Sequence, residues 1–279
     1  MLYTQALDAL LELAFLEDIG SGDITTEATI TSSQKAKGIL SSKSDGVVAG
    51  LPIVEQTFKK LDSELSFQSL VNEGDTVNPG TDIAEINGCA KTILIGERTA
   101  LNFLQRLSGV ATLTSQFVEA VQGYNVRIVD TRKTTPGWRA LQKYAVRVGG
   151  GDNHRFGLYD GILIKDNHIV AAGGIRNAVQ KAKEAAPHTI KIEVEVETVD
   201  QVNEALDAGC DILLLDNMSI DLMKMVIQQV GKRAITEASG GITLERVKAV
   251  ASTGVDLISV GALTHSAMPL DISLNLHHI

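Results

Sequence analysis

The chain has 279 residues, of which 44% are hydrophobic and 21% are charged, and this is the composition of an ordinary folded protein with a sizeable core. Its formal net charge of −9 argues against a nucleic-acid-binding domain, and no apolar stretch reaches the roughly 18 residues that a membrane span requires. The two cysteines are too few for a disulfide framework, so the cytoplasm is the expected location.

The first 120 residues mix helical and strand patterns. The run "LDALLELAFL" (7–16) predicts an amphipathic helix, and it lacks the basic segment of a signal peptide. Residues 38–50 predict strands around an Asp-Gly turn, and residues 71–88 predict hairpin turns at Gly74-Asp75 and Pro79-Gly80. Residues 92–121 have a helical pattern that is punctuated by Gly109.

After residue 120 short β-branched runs recur, and most of them are followed by a helical stretch. This alternation predicts parallel strands built from βα units, at a spacing that suits an α/β barrel. Because six runs are found where a closed barrel has about eight strands, we expect an open barrel. The runs span 126–130, 161–165, 190–196, 211–216, 234–238 and 256–261.

Nearly every one of these runs ends in a polar or glycine cluster. In α/β barrels the active site lies at the carboxyl ends of the strands, so these clusters are expected to surround one site. They are Asp130-Thr131-Arg132-Lys133, Lys165-Asp166-Asn167-His168, the acids Glu193, Glu195 and Glu197, Asp216-Asn217, Ser239-Gly240-Gly241 and Gly261-Ala262-Leu263.

Positive charge is concentrated around the first two clusters. From Arg127 to His168 there are eight Lys or Arg side chains against four Asp, so this window is +4 and the rest of the chain is −13. A positive island in an acidic protein predicts a pocket for a small anion. His154 and Arg155, which follow the three glycines 149–151, are expected to contact that ligand, whereas His168 is expected to be structural.

The glycine and acidic clusters suggest further ligands. Residues 239–241 and 261–263 follow the last two strands, where this fold often binds phosphate, although each could also be only a tight turn. Glu195 and Asp216 suit ribose hydroxyls or Mg²⁺. Alternation places Glu193, Glu195 and Glu197 on one face of their strand, with Lys133, Arg155 and Lys165 as candidate partners. A structural ion-pair network is the alternative.

Long motifs in unbroken order resemble the quinolinate phosphoribosyltransferase family, also called carboxylating nicotinate-nucleotide pyrophosphorylases. They are "GERTALNFLQRLSG", "DTRKTTPGWR", "KYAV", "GGGDNHR", "LIKDNH", "EVEVE", "LLLDN", "EASGGIT" and "ISVGALT". The resemblance implies an N-terminal α/β sandwich-like domain, residues 1–110, and the tail 266–279 is expected to return to it. It also implies a catalytic open α/β barrel of about seven parallel strands in residues 111–265.

The resemblance further implies a reaction and a set of contacts. Family members join quinolinate to 5-phosphoribosyl 1-pyrophosphate with Mg²⁺, release CO₂ and pyrophosphate, and make nicotinate mononucleotide for NAD synthesis. They form homodimers in which an arginine, here Arg98, reaches the neighbour's site. By the same resemblance, Arg98, Arg132, His154, Arg155 and Lys165 hold quinolinate, Lys133 and Lys165 lie toward pyrophosphate, Glu195 and Asp216 bind ribose or metal, and 239–241 and 261–263 hold the 5-phosphate.

Three alternatives remain on the sequence alone. One is a paralogue associated with molybdenum transport, which shares the architecture. Another is a Schiff-base lyase that uses Lys165 as its nucleophile. The third is a carrier module, because residues 71–88 resemble the hairpin of lipoyl and biotinyl domains, but no attachment tripeptide follows them.

Overall fold

The computed structural model describes residues 4–278, which fall into two compact units. The first unit contains the chain up to Ser115 together with Thr135–Gly150 and the residues from Ser266 onward. The second unit contains Gln116–Thr134 and Gly151–His265. No helix among the described residues is long and apolar enough to cross a membrane.

The elements are numbered in chain order. The earlier ones are α1 (Thr4–Asp18), α2 (Ile24–Thr29), β1 (Lys35–Ser42), β2 (Gly46–Val47), α3 (Leu51–Leu61), β3 (Ser66–Ser69), β4 (Thr76–Val77), β5 (Asp82–Cys89) and α4 (Ala90–Ala120). The later ones are β6 (Arg127–Val129), α5 (Arg139–Val148), β7 (Ile162–Ile164), α6 (Asp166–Ala172), α7 (Ile175–Ala185), β8 (Ile192–Val196), α8 (Val199–Ala208), β9 (Ile212–Asp216), α9 (Ile220–Val230), β10 (Ile235–Ser239), α10 (Leu244–Ala251), β11 (Leu257–Ser259), α11 (Ala262–His265) and β12 (Ile272–His278).

The first unit is built on a four-stranded antiparallel sheet in the order β12-β1-β5-β3. The C-terminal strand β12 pairs with β1 from Ala36, opposite His278, to Ser42, opposite Ile272. Alternate residues of β1 are buried, and they join a core with apolar side chains of α3 and α4 such as Phe58 and Leu104. The strands predicted on either side of the Asp-Gly turn are β1 and β2, but β2 pairs with β4 instead of β1.

Helix α4 runs without interruption through Gly109, where the sequence pattern is punctuated. A Cβ at this position would overlap the backbone carbonyl of Met268 and crowd Pro269. The glycine therefore permits a close approach of the C-terminal segment to the helix, and it does not mark a helix end.

Residues 135–150 pack with the first unit, although the predicted barrel domain, 111–265, includes them. The ring of Trp138 stacks on Phe103 of α4, with centroids 4.8 Å apart and an interplanar angle of 15°. The hydroxyl of Tyr144 donates a hydrogen bond to Glu73. A partly buried aromatic stack and a partly buried hydrogen bond thus hold this segment within the first unit, in a way that strand and helix periodicity does not reveal.

The Glu73 carboxylate also caps helix α3. It accepts hydrogen bonds from the N–H groups of Gly50, at 2.9 and 3.0 Å, and of Leu51, at 2.6 Å, at the start of the helix. These N–H groups have no partner within the helix, and a negative charge there is favoured by the helix dipole. Burial and this carboxylate together raise the pKa of Tyr144 far above its usual range.

Removing the carboxylate should therefore destabilise the first unit. Glu73→Ala leaves Gly50, Leu51 and Tyr144 without their acceptor, and we expect the free energy of unfolding to fall by about 2 kcal/mol or more. Urea denaturation followed by circular dichroism measures this change. The exposed Glu64→Ala is the control and should stay within about 0.5 kcal/mol of wild type. Equal midpoints for the two variants would contradict the capping role.

The second unit is a parallel sheet in the order β6-β11-β10-β9-β8-β7, with helices in the connections. Its six strands coincide with the six predicted runs, so the predicted α/β class with an open parallel sheet is confirmed. The resemblance implied about seven strands, and here a seventh position is only a parallel bridge between Val129 and Asp152. Among the described residues no strand pairing joins that bridge to β7, so the sheet stays open there.

Candidate active site

A cavity of about 580 Å³ lies at the carboxyl ends of the parallel strands. Cationic, acidic and glycine residues from the ends of most of the strands face it, as the sequence predicted. The lining residues are Thr131, Arg132, Lys133, His154, Arg155, Leu163, Lys165, Glu195, Leu214, Asp216, Asn217, Glu237, Ser239, Gly240, Gly241 and Ser259.

The buried carboxylate of Asp130 positions the loop that bears His154. It accepts hydrogen bonds from the backbone N–H of His154, at 2.9 Å, and from Asn153 Nδ2, at 2.6 Å. Two backbone hydrogen bonds, Asp152 N–H to Ile128 and Asp130 N–H to Asp152, hold the loop beside β6. Asp130 is fully buried, and these bonds help to compensate the desolvation of its carboxylate.

Two guanidinium groups lie close together beside this loop. Arg155 donates from Nη1 to the carbonyl of Gly161, at 2.9 Å, which fixes its side chain. Burial and then the nearby charge of Arg132 lower the pKa of Arg155, although Glu193 and Asp160 act in the opposite direction. Like charges in a partly buried cavity are costly, and an anion bound between them would relieve the repulsion.

The acidic side of the cavity is formed by Glu195 and Asp216. Lys165 Nζ lies 2.9 Å from Glu195 Oε2, and Asp216 accepts a hydrogen bond of 2.7 Å from Asn217 Nδ2. Lys165 is therefore the partner of Glu195, as the sequence suggested. Glu197 lies beyond the end of β8 and is exposed, so only Glu193 and Glu195 of the three acids point into the barrel.

The loop after β10 is shaped by close backbone contacts. Gly240 has a φ of +88°, and a Cβ there would overlap the side chain of Asn217. Arg246, which the sequence reading missed, donates to the carbonyls of Gly240, Gly241 and Met218 at 3.4, 3.3 and 3.0 Å. These bonds occupy carbonyl groups of the loop. Backbone N–H groups of the loop are then suited to contact a bound anion.

The other predicted residues lie away from the cavity wall. Gly261 is next to Lys133, whose carbonyl accepts a 2.7 Å hydrogen bond from Thr264, and Leu263 is fully buried. Any ligand contact from 261–263 would therefore come from the backbone of Gly261 or Ala262. His168 accepts a hydrogen bond from the N–H of Lys165, at 3.0 Å, and caps α6. Arg98 is exposed on α4 in the first unit.

Comparison with known proteins identifies the family. Residues 23–108 match the model of the quinolinate phosphoribosyl transferase N-terminal domain, and residues 110–275 match that of the C-terminal domain. The chain belongs to the quinolinate phosphoribosyltransferase family. This result confirms the family and the enzyme class that the sequence motifs predicted.

Individual relatives agree with this assignment. A probable carboxylating nicotinate-nucleotide pyrophosphorylase of Bacillus subtilis is 48% identical over 97% of this chain and 93% of that protein. One of Synechocystis is 43% identical over 97% and 92%. The solved structure of NadC from Streptococcus pyogenes superimposes with a TM-score of 0.96 and 41% identity, covering 100% of this chain and 99% of that one. This quinolinate phosphoribosyltransferase family member therefore matches its relatives over both domains.

At the floor of the cavity lies a cluster of Glu193, Glu237 and His154, here called the acid cluster, in which both glutamates are buried. His154 Nε2 is 3.1 Å from Glu193 Oε2 and 3.6 Å from Glu237 Oε1. Burial, and then the charge of Glu193, raise the pKa of Glu237 to about 7. The sequence reading missed Glu237, although its place in β10, two residues before Ser239, puts it on the same inward face.

The three side chains could geometrically hold a metal ion, since their ligand atoms lie within 4.8 Å of one another. The hydrogen bonds argue against this arrangement. His154 Nδ1 accepts the N–H of Arg155 at 2.8 Å, so the neutral ring has its proton on Nε2, the atom that faces the carboxylates. A protonated Nε2 cannot bind a metal, and the cluster is better described as one that holds protons.

The raised pKa of Glu237 predicts a pH-dependent stability. Its neutral form is favoured in the folded protein, so this contribution is complete below the ordinary carboxyl pKa and is lost as the pH rises through about 7. The loss is on the order of 3 kcal/mol at most. Glu237→Gln stays neutral, so its melting temperature relative to wild type should be higher at pH 8 than at pH 5. Thermal denaturation at both pH values, with the exposed Glu245→Gln as control, tests this. A difference that does not vary with pH would contradict the assignment.

Proposed function

We propose that this protein transfers the phosphoribosyl group of 5-phosphoribosyl 1-pyrophosphate to the ring nitrogen of quinolinate. The transfer releases pyrophosphate, and loss of CO₂ then gives nicotinate mononucleotide, a step of NAD biosynthesis. The observation that supports this most directly is the division of the cavity. Arg132 and Arg155 lie close together at one wall, while Glu195 and Asp216 line another. A dianionic acceptor and a ribose-containing donor need these two environments.

The quinolinate side would be formed by Arg132, Arg155, His154 and Lys165. Quinolinate has two adjacent carboxylates, and the planar guanidinium fork of arginine can bind a carboxylate through two hydrogen bonds. Each charge-assisted hydrogen bond contributes roughly 1.5–3 kcal/mol, so four or five of them can offset the desolvation of both carboxylates. The repulsion between the guanidiniums would also fall on binding.

The donor side would be formed by the acids and the glycine loop. Glu195 and Asp216 offer carboxylate oxygens that fit either ribose hydroxyls or Mg²⁺, directly or through water, since Mg²⁺ prefers oxygen ligands and retains several waters. Bound there, Mg²⁺ would neutralise charge on the departing pyrophosphate. Lys133 and Lys165 would lie toward the pyrophosphate, Thr131 lines the same cavity, and residues 239–241, with the backbone at 261–263, would hold the 5-phosphate.

The chemistry needs little acid–base help for its first step. Pyrophosphate leaves from a ribose with oxocarbenium character, and Lys133 and Lys165 stabilise the charge that develops on the leaving group. The ring nitrogen attacks the ribose and becomes cationic. That cation accepts the electron pair left on the adjacent ring carbon when the carboxylate departs as CO₂.

A homodimer with Arg98 acting across the interface is part of the proposal. The support is the family resemblance of the "GERT" motif and the exposure of Arg98 on α4. The cytoplasmic location stays a prediction.

The direct test is an assay with quinolinate, the phosphoribosyl donor and Mg²⁺, in which nicotinate mononucleotide and CO₂ are measured. Omission of Mg²⁺ with a chelator present should abolish turnover. Nicotinate should be a poor acceptor, because it removes one negative charge from beside two guanidiniums that repel each other. Its kcat/KM should be about 30-fold to several thousand-fold lower, equivalent to about 2–5 kcal/mol. Comparable turnover of nicotinate and quinolinate would refute the role proposed for the wall formed by Arg132 and Arg155.

The role of Arg98 is tested by mixing variants. Arg98→Ala and Arg132→Ala should each be nearly inactive alone if each site uses Arg132 from one subunit and Arg98 from the other. In a mixed dimer one site has both defects and the other has neither. Random exchange makes about half of the dimers mixed, so mixing should restore roughly a quarter of wild-type activity. Mixtures that exchange subunits, as shown by differently tagged chains, and yet stay inactive would mean that Arg98 serves its own chain.

A further inference from the structure

In the proposed reaction, no residue has been assigned to protonate the ring carbon after decarboxylation. After CO₂ departs, the ring carbon holds an electron pair and must take a proton. Lysine and arginine side chains around the carboxylates are needed in their charged form to hold them. The donor must therefore be sought elsewhere on the wall of the cavity.

Glu237 lies at the floor of the same cavity. It is the third residue of β10, two residues before Ser239, so its side chain is on the inward face about 6–7 Å below the rim. It is 1% exposed, and its Oε1 atom has no hydrogen-bond partner within the described part of the chain. A buried carboxyl oxygen without a partner is costly, which suggests that the site provides one when a ligand binds.

His154 connects Glu237 to the ligand wall. Its Nε2–H lies 3.1 Å from Glu193 Oε2 and 3.6 Å from Glu237 Oε1, and His154 lines the cavity as well. If Glu237 gave up a proton, the Nε2–H could turn to the new carboxylate with little movement. The histidine donates to Glu193 in the resting arrangement and lies close enough to Glu237 to share that hydrogen bond with its charged form.

A second cavity reaches Glu237 from the opposite end of the barrel. Its volume is about 400 Å³, and it is lined by Glu193, Glu237 and His154 together with Arg127, Asp152 and Lys191 near the amino ends of the strands. The acid cluster therefore separates the first cavity from a second one that has charged side chains in its wall. Water in that cavity can return a proton to Glu237 while the products still fill the first cavity.

We propose that Glu237 is the general acid that protonates the ring carbon after CO₂ has left, and that water in the cavity at the amino ends of the strands restores its proton. The proposal rests on the function proposed above. In the step, the O–H bond of Glu237 breaks and a C–H bond forms at the ring carbon. The electron pair left by decarboxylation becomes the new bond, and the negative charge passes to the Glu237 carboxylate.

The surroundings keep Glu237 protonated near neutral pH. Burial is the main cause of its raised pKa, and the charges of Glu193 on β8 and Asp130 after β6 act in the same direction. His154 and the hydroxyl of Ser259 on β11 lower that pKa. Glu237 therefore meets the requirement for a general acid, a pKa close to the working pH.

The test is the origin of the new hydrogen. Wild type and Glu237→Gln turn over quinolinate in an equal mixture of H₂O and D₂O, and the deuterium content at the former carboxylate position of nicotinate mononucleotide is measured by mass spectrometry. A carboxylic acid and water discriminate differently between the isotopes, so the product ratio should change in Glu237→Gln. We also expect kcat to fall by about 10²-fold or more. Glu245→Gln should match wild type in both measurements.

An unchanged isotope ratio in an active Glu237→Gln would overturn the proposal. If that variant is inactive or does not fold, the pH dependence in wild type decides. The isotope ratio should move to a second value as the pH rises through about 7, where Glu237 loses its proton. Ser259→Ala removes a hydrogen bond that lowers the pKa of Glu237, so it should shift this change to higher pH. A ratio that is constant with pH refutes the role of Glu237, whereas a wild type that makes no product refutes the function itself.

Discussion

The arrangement of the active site depends on the buried carboxylate of Asp130. It is fully buried, and its hydrogen bonds to His154 and Asn153 fasten the loop at 152–154 to the edge strand β6. That attachment takes the place of a full seventh strand. It orients His154 toward Glu193 inside the barrel and places the next residue, Arg155, near Arg132. An open sheet can thus keep a defined ligand wall at its edge.

The cavity stores unfavourable electrostatics of both signs. Two guanidiniums repel each other at one wall. The pKa of Arg155 is lowered and the pKa of Glu237 is raised, so both changes favour the neutral form of the side chain. Such strain lowers the stability of the free protein and is relieved when a ligand of suitable charge binds. The relief is selective, because one missing carboxylate leaves part of the repulsion in place. On the proposed function, specificity for a dianion and a modest loss of stability would have the same physical origin.

Sequence reasoning identified what depends on periodicity and on strand ends. The six runs became six parallel strands, and Arg132, Lys165, Glu195 and Asp216 converge as expected because parallel strands align their carboxyl ends. It missed features that depend on long-range packing. The stack of Trp138 on Phe103 draws residues 135–150 into the first unit, and Gly109 accommodates Met268. Glu237 was overlooked because the interior of its run resembles an ordinary strand.

The position of a glutamate along its strand determines whether its side chain meets solvent and a cation or is buried. Glu193 precedes Glu195 by two residues on β8, as Glu237 precedes Ser239 on β10, so each inward face has an upper and a lower position. At the upper position Glu195 meets Lys165 and solvent, and its charge is available to bind. At the lower position Glu237 is shielded from water and close to Glu193, so its proton is held more tightly. A displacement of two residues along a strand therefore places one carboxyl group beside a cation and another where burial favours its protonated form.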